Sequence, residues 1–180
     1  MPKKYILSEK EEKARYDTHE NFSDDPGYRN FLQRMATPIK EHVPEYSSGL
    51  DFGCGPTPVL ANILTELRYN MSTYDIFYND NKTVFNKQYD FITTTEVIEH
   101  LLNPKKEIEK LWSLLKPGGT LGIMTKLVID ADAFSRWHYK NDSTHIRFFS
   151  IETFKWLAKQ LNAELYFYYN DVMIFKKSKK

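Results

Sequence analysis

The stretch that decides the fold is residues 49–58, GLDFGCGPTP. Its apolar start, Leu50 to Phe52, predicts a short strand. Two glycines then allow a tight turn, and Pro58 suits the first turn of a helix, where its missing amide has no helical partner. Because ligands of open α/β sheets bind at the carboxyl ends of the strands, this turn is a candidate ligand-binding loop. An ordinary tight turn is the alternative interpretation.

Strand and helix patterns alternate along the rest of the chain. Apolar stripes predict helices over 59–67, 108–115 (stopping at 116–119) and 154–161, and apolar or β-branched runs predict strands over 71–75, 89–94, 120–125, 164–169 and 172–175. This alternation predicts an α/β fold with a mainly parallel sheet and helices on both faces. The turn pair Asn170-Asp171 joins the last two strands, so we expect an antiparallel hairpin at the end of the sheet.

The chain is predicted to have three parts. Residues 1–47 form a helical N-terminal cap, residues 48–176 the α/β core, and residues 177–180 a basic tail. In the cap, the turn-like residues 23–27 precede a helix that Pro38 is expected to end or kink. Four residues of the cap are candidates for a lid over the ligand: Tyr16, His19, Asn21 and Tyr28.

Composition restricts the classes of function. A length of 180 residues fits one domain, and 25 Lys+Arg against 24 Asp+Glu gives a net charge of +1, which disfavours a nucleic-acid partner. A single cysteine, Cys54, excludes an internal disulfide. No apolar run approaches the roughly 20 residues that span a bilayer. The start of the chain leads into a charged stretch and not an apolar signal sequence, so the expected location is the cytoplasm.

Two aspartates indicate the kind of ligand. Pro56 and Pro58 remove amide donors that a pyrophosphate would need, so a ligand without phosphates fits the loop better. Asp51 could approach the ammonium group of a methionine moiety. Asp75, at the end of the second strand, could accept the hydroxyls of a ribose, and an ordinary helix cap is the alternative. Ile76, with Phe77, would then offer an apolar face to an adenine.

In their order along the chain, these motifs resemble the class I S-adenosylmethionine-dependent methyltransferases. The resemblance rests on Leu50 to Gly55, on Asp75, on residues 89–100 (YDFITTTEVIEH) and on residues 114–119 (LLKPGG), and covers about 48–175. It is nearest to the branch of the ubiquinone-biosynthesis O-methyltransferases. It implies a Rossmann-like class I methyltransferase sandwich and S-adenosylmethionine as cofactor. The implied cofactor contacts are Asp51, Gly53, Cys54, Gly55, Asp75, Ile76, Phe77, Thr95 and Glu96.

One segment departs from the pattern of this family. Members usually place a full helix and a strand between the equivalents of Asp75 and Asp90, but these residues are only 15 positions apart here. We therefore expect the fold to be abbreviated between its second and third strands. The adenine pocket is expected to be abbreviated with it.

Residues 96–100, EVIEH, follow the third strand and supply candidate catalytic groups. Glu96 and His100 are four positions apart, so on a helix they would share a face, and His145 could approach the same space. The candidate catalytic residues are therefore Glu96, His100 and His145. The segment also resembles the metal-binding Glu-x-x-Glu-His of small-RNA terminal 2′-O-methyltransferases. Capping and pocket polarity are the simpler interpretation, so no metal is assigned.

The aromatic loop over 132–149 is the expected substrate wall. Trp137, Tyr139 and His145 are the candidate substrate-binding residues, and packing of aromatics on the sheet edge is the alternative. His145 has a pKa suited to removing a proton from a hydroxyl at neutral pH. We predict methyl transfer to a small-molecule acceptor, at oxygen. A non-catalytic cofactor-binding module acting through a partner and an RNA 2′-O-methyltransferase are the alternatives, and the oligomeric state is left open.

Overall fold

The computed structural model describes residues 6–18 and 25–179, and within these ranges six strands form a single sheet. The helices are α1 (Glu9–Tyr16), α2 (Pro26–His42), α3 (Val59–Glu66), α4 (Pro104–Ser113), α5 (Ala131–Arg136) and α6 (Ile151–Leu161). The strands are β1 (Ser48–Phe52), β2 (Asn70–Tyr74), β3 (Tyr89–Thr95), β4 (Leu115–Met124), β5 (Glu164–Tyr168) and β6 (Val172–Lys176).

The sheet has the order β2-β1-β3-β4-β6-β5. The first four strands are parallel to one another, and β6 pairs antiparallel with both β4 and β5. The prediction of a mainly parallel sheet that ends in an antiparallel hairpin is therefore confirmed. Because parallel strands end at the same edge, the loops after β1, β2 and β3 come together there.

Helices cover both faces of the sheet. On one face α2 and α3 bury a cluster that includes Leu32, Met35 and Ile63. On the other face α4 and α6 bury a second cluster that includes Ile108 and Phe154. The sheet is thus buried on both sides, which explains why four of the five residues in both β1 and β6 are buried.

The connection between β2 and β3 is short, as expected. Residues 75–88, all described, contain a 3-10 turn at Lys82–Asn86 and neither an α-helix nor a further strand of the sheet. Aromatic rings from this connection and its neighbours pack in place of a longer insertion: Phe85 lies 4.7 Å from Tyr74 and 6.4 Å from Phe52, centre to centre.

Pro38 was expected to end or kink its helix, and the first of these outcomes is wrong, because α2 continues to His42. The buried face of α2, which includes Met35 and Ile39, packs on the core and outweighs the backbone hydrogen bond that a proline removes.

Strand β4 also begins before the predicted residue 120. It starts at Leu115, which pairs with Tyr89, and a bulge over 116–119 follows before the regular register resumes. Gly118 has a φ of 75°, and the Lys116 ammonium lies 2.9 Å from both carboxylate oxygens of Asp90. The predicted turn residues therefore shape an irregular strand start, and the chain beyond β6 is partly fixed to it, since the Lys177 amide donates to the Gly119 carbonyl at 2.8 Å.

Candidate functional site

The glycine loop joins β1 to α3 at the carboxyl edge of the sheet. Gly53 and Gly55 have φ values of 82° and 67°, in the left-handed region that favours glycine. A Cβ on Gly53 would lie 2.3 Å from the Val97 Cγ2 atom, whereas a Cβ on Gly55 would meet no atom within 4 Å. Gly53 is therefore required for close packing, and Gly55 keeps the backbone open toward a ligand.

Asp75 ties this loop to the connection that follows β2. Its Oδ1 atom accepts the amides of Phe77 at 2.8 Å and Tyr78 at 3.1 Å, and its Oδ2 atom accepts the Gly55 amide at 3.0 Å. Because a carboxylate oxygen can accept two hydrogen bonds, Oδ2 retains one acceptor position. Asp75 thus positions the loop backbone and still has an acceptor for a ligand hydroxyl.

A cavity of about 840 Å³ lies between these loops, α1, α2 and the end of β3, within the size range of small-molecule sites. The predicted residues in its wall are Gly53, Cys54, Gly55, Asp75, Ile76, Phe77, Thr95, Glu96, His100 and His145. The structure therefore brings together most of the predicted cofactor contacts and all three candidate catalytic residues.

Asp51 lies beneath the cavity and is not part of its wall. Its side chain is 3% exposed and accepts a hydrogen bond from the Thr93 hydroxyl at 3.0 Å. Burial, partly offset by this hydrogen bond, raises the pKa of Asp51 to about 7. A direct contact with a ligand ammonium remains a prediction.

The segment after β3 is a turn and not a helix, contrary to the premise that Glu96 and His100 share a helical face. Glu96 has a φ of 53°, which interrupts a helix at its first residue. The chain must turn sharply here because β3 ends at the sheet edge. Glu96 and His100 nevertheless both reach the cavity wall.

Glu96 and Glu99 form a buried carboxyl pair that shares one phenol. The Tyr139 hydroxyl contacts Glu96 Oε2 at 3.1 Å and also bonds to Glu99 Oε1. A phenol has one proton to donate, so its second contact requires a proton on a carboxyl group. Burial raises the pKa of both acids, and the Glu99 charge raises the pKa of Glu96 further. The pair therefore holds a proton more readily than two exposed glutamates would.

Backbone carbonyls fix the tautomers of the two histidines. His145 Nδ1 lies 2.7 Å from the Tyr139 carbonyl oxygen, and His100 Nδ1 lies 3.0 Å from that of Thr144. Since a carbonyl can only accept, each Nδ1 carries a proton, and Nε2 of the neutral ring has the lone pair. The two ring centres are 4.8 Å apart. The site thus presents two imidazoles whose Nε2 atoms can accept protons.

The same residues could hold a metal ion. Three possible ligand atoms lie within 4.8 Å of one another, one from each of Glu99, His100 and His145. Histidines that bind metals commonly donate the other ring N–H to a backbone carbonyl, as both do here. Glu96, the other acid of the predicted segment, is not a member of this cluster.

Helix α1 lies along the cavity, and two of the four lid candidates are found in the cavity wall. Tyr16 lines the cavity, with its ring 5.8 Å from that of Phe77 and 5.3 Å from that of His100. Tyr28 of α2 also lines it. The other two lid candidates, His19 and Asn21, lie outside the described residues.

Two of the predicted substrate-binding residues do not line the cavity in this structure. Tyr139 is 6% exposed, and its hydroxyl bonds to the buried carboxyl pair. Trp137 packs against Phe134, Tyr139 and Phe148. Direct contact of these two residues with a substrate therefore remains a prediction, while His145 reaches the cavity.

Sequence reasoning missed several residues of the site. Glu9 and Glu12 line the cavity next to Tyr16, and their spacing along a helix was the available signal. Glu99 was noticed only as part of a metal motif, and its bond to Tyr139, forty positions away, has no local signal.

Comparison with known proteins identifies the family. A family model described as a methyltransferase domain matches residues 19–166. The chain belongs to this methyltransferase domain family. The resemblance to S-adenosylmethionine-dependent methyltransferases, the Rossmann-like fold and the classification as an enzyme are therefore confirmed.

Individual relatives agree with this assignment. Over 59 residues the methyltransferase chain is 42% identical to a mitochondrial ubiquinone biosynthesis O-methyltransferase of Dictyostelium discoideum, a match that covers 33% of this chain and only 17% of that protein. A SAM-dependent methyltransferase structure from Archaeoglobus fulgidus has a TM-score of 0.63 at 17% identity, covering 83% of this chain and 94% of that one.

A second solved structure matches over more of the chain. It is the 1,6-didemethyltoxoflavin-N1-methyltransferase of Burkholderia thailandensis, solved with S-adenosylhomocysteine, with a TM-score of 0.64 at 13% identity. The match covers 96% of this chain and 92% of that one. At such low identity these two structures support the fold alone.

No helix among residues 6–18 and 25–179 combines the length and the apolar character that crossing a membrane would require.

Proposed function

We propose that this methyltransferase transfers a methyl group from S-adenosylmethionine to the oxygen of a small-molecule hydroxyl. The observation that carries the proposal is the cavity itself, whose wall contains both the glycine loop of the family and two imidazoles with fixed tautomers. A volume of about 840 Å³ leaves room for a small acceptor beside the cofactor.

The residues in the wall fit the cofactor. Gly55 leaves open space where a Cβ would stand, and the loop lacks amides at Pro56 and Pro58, which suits a ligand without phosphates. Asp75 offers one acceptor to a ribose hydroxyl, and Ile76 and Phe77 offer apolar surface to an adenine. When bound, S-adenosylmethionine supplies an electrophilic methyl group.

The chain contributes alignment and a proton acceptor. His145 donates its Nδ1 proton to the Tyr139 carbonyl, so Nε2 can accept the proton of the acceptor hydroxyl. His145 is 9% exposed, and water around it is therefore restricted. Most of the rate enhancement comes from aligning the acceptor oxygen with the methyl carbon and the sulfur of the cofactor. Removal of the proton makes a smaller contribution.

Titration calorimetry with S-adenosylhomocysteine tests the cofactor site. We expect saturable binding by the wild type and a loss of about tenfold or more in Gly55→Leu, because the new side chain would occupy the cavity. Gly118→Leu is the matched control, since Gly118 also has a positive φ, 75°, but lies outside the cavity wall. Equal affinity of both variants and the wild type would contradict the assignment. Binding without turnover of any acceptor would favour the non-catalytic module.

A second candidate function is metal-dependent methylation of an RNA 2′-hydroxyl. The cluster of Glu99, His100 and His145 favours it, because two neutral imidazoles and a carboxylate suit a divalent cation. A net charge of +1 gives little attraction for a phosphate backbone. Calorimetry with Mn²⁺, comparing the wild type with His100→Gln, separates the candidates. This candidate would be supported by two results together: the wild type binds Mn²⁺ in the micromolar range and the variant does not, and RNA methylation depends on Mn²⁺.

A further inference from the structure

Helix α1 turns an acidic face toward the cavity. Glu9, Glu12 and Tyr16 line the cavity, and their spacing of three and four places them on one side of the helix. A helix that covers a pocket normally presents apolar residues to it. Here the covering face consists of two carboxylates and a phenol, and none of the eight residues of α1 is buried. Packing alone therefore does not explain these residue types.

The lysines of the cavity wall do not form ion pairs with this face. Among the described residues, neither Glu9 nor Glu12 forms an ion pair with a lysine or arginine, and the lysines of the wall, Lys106 and Lys110, both belong to α4. Lys110 Nζ lies 3.4 Å from the centre of the Phe85 ring, next to the β2–β3 connection.

Two of the three cations of α1 itself are also engaged elsewhere. Lys13 pairs with Asp17 at 2.9 Å, and Arg15 pairs with Asp142 at 3.2 Å. None of the three, Lys10, Lys13 and Arg15, is part of the described cavity wall. Glu12 Oε1 accepts the Tyr16 hydroxyl at 2.6 Å, and the negative charge on the α1 side faces the cavity without an ion pair to a lysine or arginine of the described residues.

Deeper in the same region, a buried carboxyl group adds to this pattern. Glu99 is 0% exposed, and its Oε2 atom has no hydrogen-bond partner in the described structure. It stands next to His100 and His145, which line the cavity. A buried acceptor without a partner is costly, so once the Glu96–Glu99 pair has released its proton, this oxygen requires a donor or a positive charge.

We propose that the methyl acceptor is an organic cation, a hydroxyl compound with a protonated amine, whose charge is held by Glu12 and Glu9 of α1. The aromatic face of Tyr16, on the same side of α1, would stabilise the cation further. The inference rests on the proposed function, since it specifies the acceptor of that reaction.

The test compares three phenols of similar size that differ in charge: tyramine, 4-ethylphenol and 3-(4-hydroxyphenyl)propanoate. Their affinities are measured by calorimetry on protein saturated with S-adenosylhomocysteine, so that binding is separated from catalysis. We expect tyramine to bind about tenfold more tightly than 4-ethylphenol, and the propanoate to bind most weakly. In Glu12→Gln, most of the preference for tyramine disappears while the affinity for 4-ethylphenol is unchanged.

Glu11→Gln is the matched control, because it removes the same charge from the same helix outside the cavity wall. Glu11 closes the capping box with Ser8, a role that glutamine also fills. Equal effects of the two variants, equal or tighter binding of 4-ethylphenol, or no binding of tyramine would overturn the proposal. A matching loss of S-adenosylhomocysteine affinity in Glu12→Gln would overturn it as well, because the charge would then serve the cofactor.

Failure of the proposed function gives a different result. If the protein does not bind S-adenosylhomocysteine, the proposed cofactor site fails, and the three phenols are titrated into the cofactor-free protein. A preference for tyramine that depends on Glu12 would still support a cation site there, and its absence would overturn it.

Discussion

Asp51 illustrates how one buried acid can shape the pH dependence of stability. Burial raises its pKa from 3.8 to about 7. The folded protein therefore retains a proton that the unfolded chain has already released, and stability falls as the pH rises from about 4 through about 7. Asp51→Asn stays neutral and keeps an oxygen for the Thr93 hydroxyl.

We compare the free energy of unfolding of Asp51→Asn with that of the wild type. The difference between them should shift by about 2 kcal/mol in favour of the variant as the pH rises from 5 to 8. Urea unfolding of both proteins at the two pH values measures this change. Any fixed cost of burying the amide cancels in the comparison. An identical difference in unfolding free energy at both pH values would show that Asp51 does not titrate in this range.

Gly53 and Gly55 make a paired prediction about the glycine loop. Both have positive φ, but only at Gly53 would a Cβ strike another residue, the Val97 side chain at 2.3 Å. We expect Gly55→Ala to cost about 1–2 kcal/mol from the backbone conformation, and Gly53→Ala to cost at least about 1 kcal/mol more from overpacking. Thermal unfolding of the two variants shows which of them loses more stability, and equal losses of stability would contradict the prediction.

At the scale of elements, α1 is held by few contacts. None of its eight residues is buried. Its links to the remainder of the structure include the Arg15–Asp142 ion pair and, at the residue that follows the helix, the Asp17–Tyr78 hydrogen bond. An isolated helix of this length is unstable in water, so its amides should exchange with solvent faster than those of α2.

Ligand binding is expected to slow this exchange, because α1 forms part of the cavity wall. Hydrogen exchange measures the change in three states: the protein alone, the protein with S-adenosylhomocysteine, and the protein with both S-adenosylhomocysteine and tyramine. The predicted lid requires greater protection of α1 in the last two states. Unchanged exchange in α1, with protection gained at the glycine loop, would show that α1 is not a lid.

Elements also show how far sequence reasoning reaches. The strands after residue 48 and the helices α3, α4 and α6 follow from periodic apolar residues, because regular burial leaves a regular pattern. The bulge at 116–119 and the passage of α2 through Pro38 depend on tertiary packing, which local patterns do not contain.

The same limit applies within the site. The glycine loop and Asp75 have local signals, since both lie at strand ends. The pairing of Tyr139 with Glu96 and Glu99 brings together residues some forty positions apart, and only the fold reveals it. For the same reason, the sequence identified Tyr139 as part of the aromatic loop without indicating that it is buried.

At the scale of the whole molecule, one sheet joins two apolar layers. Ile63 of α3 is 1% exposed in one layer, and Ile108 of α4 is 3% exposed in the other. Both layers share the same central strands, so we expect them to unfold together. Ile63→Val and Ile108→Val remove one methylene each and report separately on the two faces.

Each of these variants should lower the unfolding free energy by about 1 kcal/mol, and the double variant by about 2 kcal/mol. The effects should add because the sheet separates the two sites. Urea unfolding followed by far-ultraviolet circular dichroism and by tryptophan fluorescence measures both the sum and the coincidence of the transitions. Two separate transitions in the double variant would mean that the layers fold independently. A single transition would show that the two layers and the sheet between them form one cooperative core.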